Sequence, residues 1–253
     1  MPEATAATPA GPVSEGHEIL SPRLRAADQL RAYVEQAEWS HMTYRRQQIL
    51  EAFVELASTN GYQSVTMRAL GDRVGVKAPS IYRHFADGRD EIVLEAYRWH
   101  FYRFASAILE AVDKTMGADE YWNTLIAVHL RRQLESPEND MWDILLASDR
   151  IGGFLPHDMR DESREWLRLY VQMHAAAARE LEYPSSDVDK FAKVVVKILD
   201  TAKEWCKWDG TKSGLQLCVD QAVAMCRALL VLDIDPRDAS ATARRRNVRR
   251  VGG

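Results

Sequence analysis

The chain has 253 residues, 46% hydrophobic and 28% charged, with a formal net charge of −4. That is an ordinary globular composition, long enough for a small head and a larger body. It excludes a polycation, so any affinity for nucleic acid must reside in a local patch.

Residues 1–20 are rich in Ala, Pro, Thr and Gly with few large apolar groups. Such a segment cannot offset the entropy of ordering, and a disordered extension is expected. Ser21-Pro22 reads as an N-cap followed by a first-turn proline. Leu24, Ala27, Leu30, Val34 and Ala37 then recur at three- and four-residue spacing, giving an extra amphipathic helix within 21–43. From Tyr44, the stripe Ile49, Phe53, Leu56 and Ala57 runs to a stop signal at Asn60-Gly61. Thr66 is the expected cap of the next helix, with Val65 and Leu70 placed as a hydrophobic staple. That helix ends at Val74-Gly75, and the following one starts at Ala78-Pro79 and runs to about Phe85. Asp87 is expected to cap a fourth helix, with Asp90 in its acidic first turn. It carries Ile92, Leu94, Ala96, Trp99 and Phe101 and continues past Leu109 towards Gly117.

Helices follow near 120–135, 139–149, 158–182, 186–208 and 214–232, separated by Ser136-Pro137, Gly152-Gly153 with Pro156, Tyr183-Pro184 and Gly210. No alternating apolar and polar run is bounded by turns, and no internal repeat is found. The expected fold class is therefore all-α: a three-helix head over 44–90, a helical body over 91–235, and a basic disordered tail over 236–253. No apolar run approaches a membrane span of about 18 residues, so no membrane partner is expected. No basic region followed by an apolar stretch marks a secretion signal. Cys206, Cys218 and Cys226 show no CxxC spacing and an odd count. They read as small apolar core residues, argue against a disulfide framework or zinc site, and fit a reducing cytoplasm.

Three short helices in about forty residues, with a glycine turn between the second and third, make a helix-turn-helix. Gly75 sits where the chain must reverse and a Cβ is costly. In such a unit the second helix of the pair enters the DNA major groove. Here Ser80, Tyr82 and His84 offer hydrogen bonds to phosphates, Lys77 and Arg83 add positive charge, and Ala78 and Pro79 at the tip suit thymine methyl groups. Arg68, on the preceding helix, is long enough to reach a base edge or a phosphate. From Tyr44 to Phe85 six bases face three acids, a net +3; from Arg237 to the end the net is +5, leaving about −12 elsewhere. A basic head on an acidic body points to a directed nucleic-acid surface.

The string TMRALGDRVGVKAPSIYRHFADGRDEIVLEAY, Thr66 to Tyr97, resembles the N-terminal domain of the TetR family of regulators. The resemblance reaches back through Tyr44 to Gly61 and covers about one fifth of the chain, the rest matching only in length and helicity. It places Thr66, Gly75-Val76, Ser80, Ile81-Tyr82, Arg83 and His84-Phe85 on the family's pattern. By that resemblance, Ser80, Tyr82 and His84 hold phosphates, Arg68, Ala78 and Pro79 lie near bases, and Phe85 closes the head's core. Gly88-Arg89 departs from the lysine many relatives carry near the start of the fourth helix, with Arg89 as its substitute.

The resemblance further implies a homodimer paired through the last two long helices, a palindromic DNA operator, and a small-molecule effector held in the body. Apolar residues on more than one stripe of both helices agree: Phe191, Val194, Val195, Ile198 and Leu199 on one, Leu215, Cys218, Val219, Ala222, Cys226 and Leu229 on the other. Trp99, Trp122, His129, Trp142, Tyr170, His174 and Trp205 mix aromatic and polar character on the body helices and are the candidate effector residues. A planar or lipid-like apolar effector is expected, with no cofactor and no metal. The expected function is a cytoplasmic repressor released from DNA by its effector. Its rivals are an effector-independent or activating regulator, and a helical enzyme using His129 or His174, for which no nucleophile elbow, phosphate loop or spaced metal ligands are found.

Overall fold

The structure is a computed structural model of the chain and describes residues 20–36, 42–136, 138–153, 155–183 and 187–231. The disordered extension and basic tail expected at the two ends lie outside the described residues, apart from Leu20. Among the described residues there are helices and turns and no strand. In chain order the helices are α1 (Pro22–Glu35), α2 (Tyr44–Asn60), α3 (Met67–Val74), α4 (Ala78–Ile81), α5 (Arg89–Val112) and α6 (Ala118–Glu135). They continue as α7 (Glu138–Gly152), α8 (His157–Glu180), α9 (Val188–Asp200), α10 (Ala202–Trp205) and α11 (Lys212–Val231).

Two hydrophobic clusters organise the chain. The head's cluster joins Ile49, Phe53, Leu70, Ile81 and Phe85 to Ile92, Ala96 and Tyr97 of α5, and also takes in Met141, Trp142 and Leu145 of α7. The body's cluster is built from α1, the second half of α5, α6, α8, α9 and α11 around Trp122, Tyr170, His174 and Phe191. Helix α5 therefore runs from one core into the other, and α7 is packed between them.

The amphipathic α1 lies on the body, against α8 and α5. Its Ala27 and Leu30 are buried, Arg23 pairs with Glu180, and Arg31 reaches Asp113 at 2.8 Å. Three expectations for the later helices are corrected. The segment 186–208 is not one helix: the chain breaks at Thr201 between α9 and α10. Side chains satisfy carbonyls that the break releases, Gln133 Nε2 donating to Asp200 O (2.9 Å) and Trp205 Nε1 to Ile198 O (2.8 Å). Cys206 and Cys218 are joined in a disulfide between the end of α10 and α11, while Cys226 is free and buried. The cysteines thus lend no support to a reducing compartment. Finally, α11 is by length and composition apolar enough to cross a membrane. It nevertheless packs on α6, burying Leu215, Cys218, Val219, Ala222 and Cys226, and ties Arg227 to Asn123 and Asp119.

Candidate nucleic-acid interface and body cavity

The head is assembled by local rules. Thr66 caps α3, its Oγ1 accepting Ala69 N–H at 3.1 Å. Gly75 ends the helix at φ 71°, in the left-handed region where a side chain is strained. Sequence reasoning missed a second glycine, Gly71, on whose backbone the turn folds. A Cβ there would stand 2.6 Å from Val76 O, and Val76 N–H donates to Gly71 O at 2.9 Å. The signal was a glycine four residues before the turn, inside a helix where it costs stability unless something approaches closely.

Helix α4 is a single turn, shorter than expected, and the chain continues as turns from Tyr82 to His84. Ile81 and Phe85 are fully buried beneath it, which fixes what points outward. Lys77, Pro79, Tyr82 and Arg83 are exposed, as is Arg68 on α3; Ala78, Ser80 and His84 are half-buried. The eight candidate DNA-contacting residues thus fall on or beside one turn. Asp87 does not cap α5: Gly88 holds that position at φ 71°, and Glu91 reaches back to accept Asp87 N–H at 3.0 Å. The Tyr82 ring explains the glycine, since a Cβ on Gly88 would lie 3.1 Å from Tyr82 Cε1.

The positive charges divide by role. Arg46 of α2 donates to His84 O, lies over the Phe85 ring at 4.3 Å and pairs with Glu91 and Glu95. Arg45 donates to Val74 O, and Arg73 pairs with Glu55 at 2.6 Å. Arg89, the expected substitute for a backbone-binding lysine, donates to Tyr62 O and stacks on the Tyr62 ring at 4.4 Å. These arginines brace the head. Among the described residues Lys77 and Arg83 make no ion pair, and Arg68 meets only Asp72 at 4.0 Å, both highly exposed. The outward face therefore keeps Lys77, Arg83 and Arg68, although half of the counted bases, Arg45, Arg46 and Arg73, are engaged by other groups of the head.

The body holds a cavity of about 990 Å³ between α5, α6, α7, α8 and the α9–α10 break. Of the seven candidate effector residues it brings together His129, Trp142 and Tyr170. The other four stand elsewhere. Trp122 stacks on Phe191 and packs edge-on to His174 in the sealed core. Trp205 serves the helix break, and Trp99 lines a separate cleft of about 280 Å³ beside Val54 and Ser58 of α2. Sequence reasoning missed Tyr97, Phe101, Phe104 and Trp166, which continue the aromatic wall, and Asp143 and Asp200 opposite it in composition.

A polar chain crosses this cavity. Tyr170 and His129 Nδ1 are 3.0 Å apart, and His129 Nε2 is 3.3 Å from Asp200 Oδ1. With Nε2 protonated and donating to Asp200, Nδ1 accepts the Tyr170 hydroxyl, which satisfies all three groups. Gln133 Nε2 donates to Asp143 Oδ2 at 3.1 Å as well as to Asp200 O. Burial, with Asp200 nearby, pushes Asp143 up to about 6. Burial, aided by Arg132 and Arg103, pushes His100 down to about 3, so it is a neutral ring at pH 7.

The structure thus combines a helix-turn-helix head, with an outward face carrying Lys77, Tyr82 and Arg83, and a helical body that holds a cavity. Residues 49–96, a stretch confined to the head and the start of α5, match the family model described as "Bacterial regulatory proteins, tetR family". The chain is 46% identical over 41 residues to the HTH-type transcriptional repressor KstR of Mycobacterium tuberculosis, a match covering 16% of this chain and 19% of that protein's length. Among solved structures it is similar to superantigen PfiT (TM-score 0.60, 20% identity, 76% of this chain and 98% of that one). It is likewise similar to AibR in complex with isovaleryl coenzyme A and operator DNA (TM-score 0.59, 16% identity, 72% and 97%). At these identities the two likenesses establish the all-helical fold alone.

Proposed function

We propose that the protein is a homodimeric transcriptional repressor that binds a palindromic operator and releases it when a small molecule occupies the body cavity. The observation that carries DNA binding is the outward face of α4, where Lys77, Pro79, Tyr82 and Arg83 are exposed over buried Ile81 and Phe85. Ser80, Tyr82 and His84 anchor phosphates, Lys77 and Arg83 supply counter-charge, and Arg68, Ala78 and Pro79 face the bases.

Dimerisation through α9 and α11 is supported by what they leave uncovered. Val194 is 43% exposed, Leu217 69% and Val231 77%, an apolar edge on helices whose other faces are buried. A two-fold pair sets two recognition turns about 34–36 Å apart, one DNA repeat. AibR was solved with both a ligand and operator DNA, and an analogous pairing of sites is proposed here. The cavity binds rather than catalyses. An effector releases DNA only by binding more tightly to a conformer whose heads are wrongly spaced. Such a regulator works in the cytoplasm, where its DNA is.

The test is selection of duplexes from a random pool by the purified full chain. An inverted repeat with half-sites one helical turn apart, bound by a dimer, is the expected result. Recovery of no enriched site, or of a single half-site bound by a monomer, overturns the assignment.

A further inference from the structure

The charges around the body cavity are unevenly settled. Its four strong cations are each already held: Lys197 by Asp200 at 2.7 Å, Lys203 by Asp140 at 2.6 Å, Arg164 by Asp161 at 2.6 Å, and Arg160 by Asp149. Asp143 faces the same space with no cationic partner among the described residues, its one hydrogen bond coming from the neutral Gln133. Asp200 lies close enough to repel it, and Lys197 and His129 act on it more weakly in the opposite direction. An anionic ligand would find no unpaired cation among the described residues and one carboxylate without an ion pair; a neutral ligand would leave that half-buried carboxylate with only the weaker attraction of Lys197 and His129.

The rest of the wall is aromatic and continuous. Trp142 packs edge-on to Tyr97 (5.5 Å), Tyr97 on Phe101 (4.5 Å), Phe101 on Trp166 (5.1 Å), and Trp166 stacks on Tyr170 (5.8 Å), with Phe104 edge-on to Tyr170 (5.6 Å). Ring faces attract cations, most strongly where water is excluded.

From the unpaired carboxylate and the aromatic wall we infer that the cavity takes an organic cation, a quaternary or protonated amine on an apolar body, with its charge held by Asp143 against the rings. This adds a charged group to the mainly apolar effector expected from sequence and rests on the proposal that the cavity is the effector site.

The experiment titrates the full-length protein with decyltrimethylammonium, decanoate and decanol, below their aggregation thresholds, and reads binding by calorimetry and by the fluorescence of Trp142 and Trp166. Decyltrimethylammonium is expected to bind at least about tenfold more tightly than the other two. Asp143→Asn, which is close in shape but removes the charge, is expected to weaken it about tenfold or more, while decanol is unaffected; if that variant does not fold, the ranking of the three probes on the wild-type protein decides the inference. Equal binding of the three probes, preference for decanoate, absence of binding by the cation, or an unchanged affinity in the Asp143 variant overturns the inference. Release of a selected DNA duplex is followed in parallel. Release by decanol or decanoate instead of the cation keeps the cavity as effector site and refutes the cation. Tight, Asp143-dependent cation binding without DNA release keeps the cation and refutes the effector role.

Discussion

Tyr97 of α5 and Trp142 of α7 meet edge to face with ring centroids 5.5 Å apart, and both belong to the head's hydrophobic cluster while lining the body cavity. A guest that displaces either ring moves a surface on which the head is packed. Two helices therefore carry the connection, α5 by continuity and α7 by contact.

The contribution of α7 is separable. Met141 is buried against α2, its sulfur accepting the Ser58 hydroxyl at 3.7 Å, and it does not line the cavity. Met141→Ala costs about 2–5 kcal/mol of stability as a core truncation. Its distinctive effect is on coupling, which in allosteric proteins spans about 5- to 150-fold. Effector affinity is expected to persist, while the ratio of DNA affinities without and with effector falls towards one. Anisotropy titrations in the two states measure that ratio.

Gly71→Ala tests the turn. The added methyl would meet Val76 O at 2.6 Å, and because that atom is backbone the whole α3–α4 turn must shift. A loss of about 1–3 kcal/mol in the head and a marked drop in DNA binding are expected. Thermal denaturation by circular dichroism checks the first effect. Gly61→Ala makes a useful contrast: it is strained by its φ of 82° but meets nothing within 4 Å.

Arginine substitutions distinguish brace from contact. Arg46→Met strips a hydrogen bond from His84 O and leaves Glu91 and Glu95 without their shared cation. It is expected to destabilise the head by about 1–3 kcal/mol while leaving the salt dependence of DNA binding in any folded fraction unaltered. Lys77→Ala and Arg83→Ala are expected to do the reverse. Each should lower the slope of log affinity against log salt by about one, with no change in unfolding temperature.

How far the sequence revealed this molecule depended on the range of the interaction. Caps, stop glycines and periodicity are local, so Thr66, Gly75 and the courses of α2, α3, α6 and α8 were legible. The failures came from partners distant in sequence. Arg46 and Arg89 looked like part of a DNA-binding charge, because their engagement with His84 and Tyr62 spans 38 and 27 residues. The break at Thr201 was invisible because Gln133, 67 residues away, accommodates the freed carbonyl. Trp122 and Trp142 are equivalent as sequence signals; only packing sends one to the core beside Phe191 and the other to the cavity.

Acid should weaken the fold through two buried histidines. Burial lowers His100 and His174 to about 3, below the ordinary histidine value of about 6.5. Their contribution is therefore complete above that unfolded value and is lost progressively as pH falls towards 3. Asp143, raised to about 6 by burial, acts oppositely: its contribution is fully present below the unfolded aspartate value and disappears as pH rises through 6. With two groups against one, denaturant unfolding is expected to show declining stability below pH 6.5, a decline blunted in His174→Gln.

The central claim is that the face carrying Lys77, Tyr82 and Arg83 grips DNA. It is tested most directly by fluorescence anisotropy of a selected duplex, titrated at several salt concentrations with the wild-type protein and with Tyr82→Ala. Tyr82 is exposed, so its removal should leave folding and assembly intact. Loss of a hydrogen bond to a charged phosphate, about 1.5–3 kcal/mol, should weaken binding at every salt concentration by about tenfold or more. Binding by Tyr82→Ala that matches the wild type across the salt series, in a variant shown to be folded, would contradict the assignment of this face to DNA.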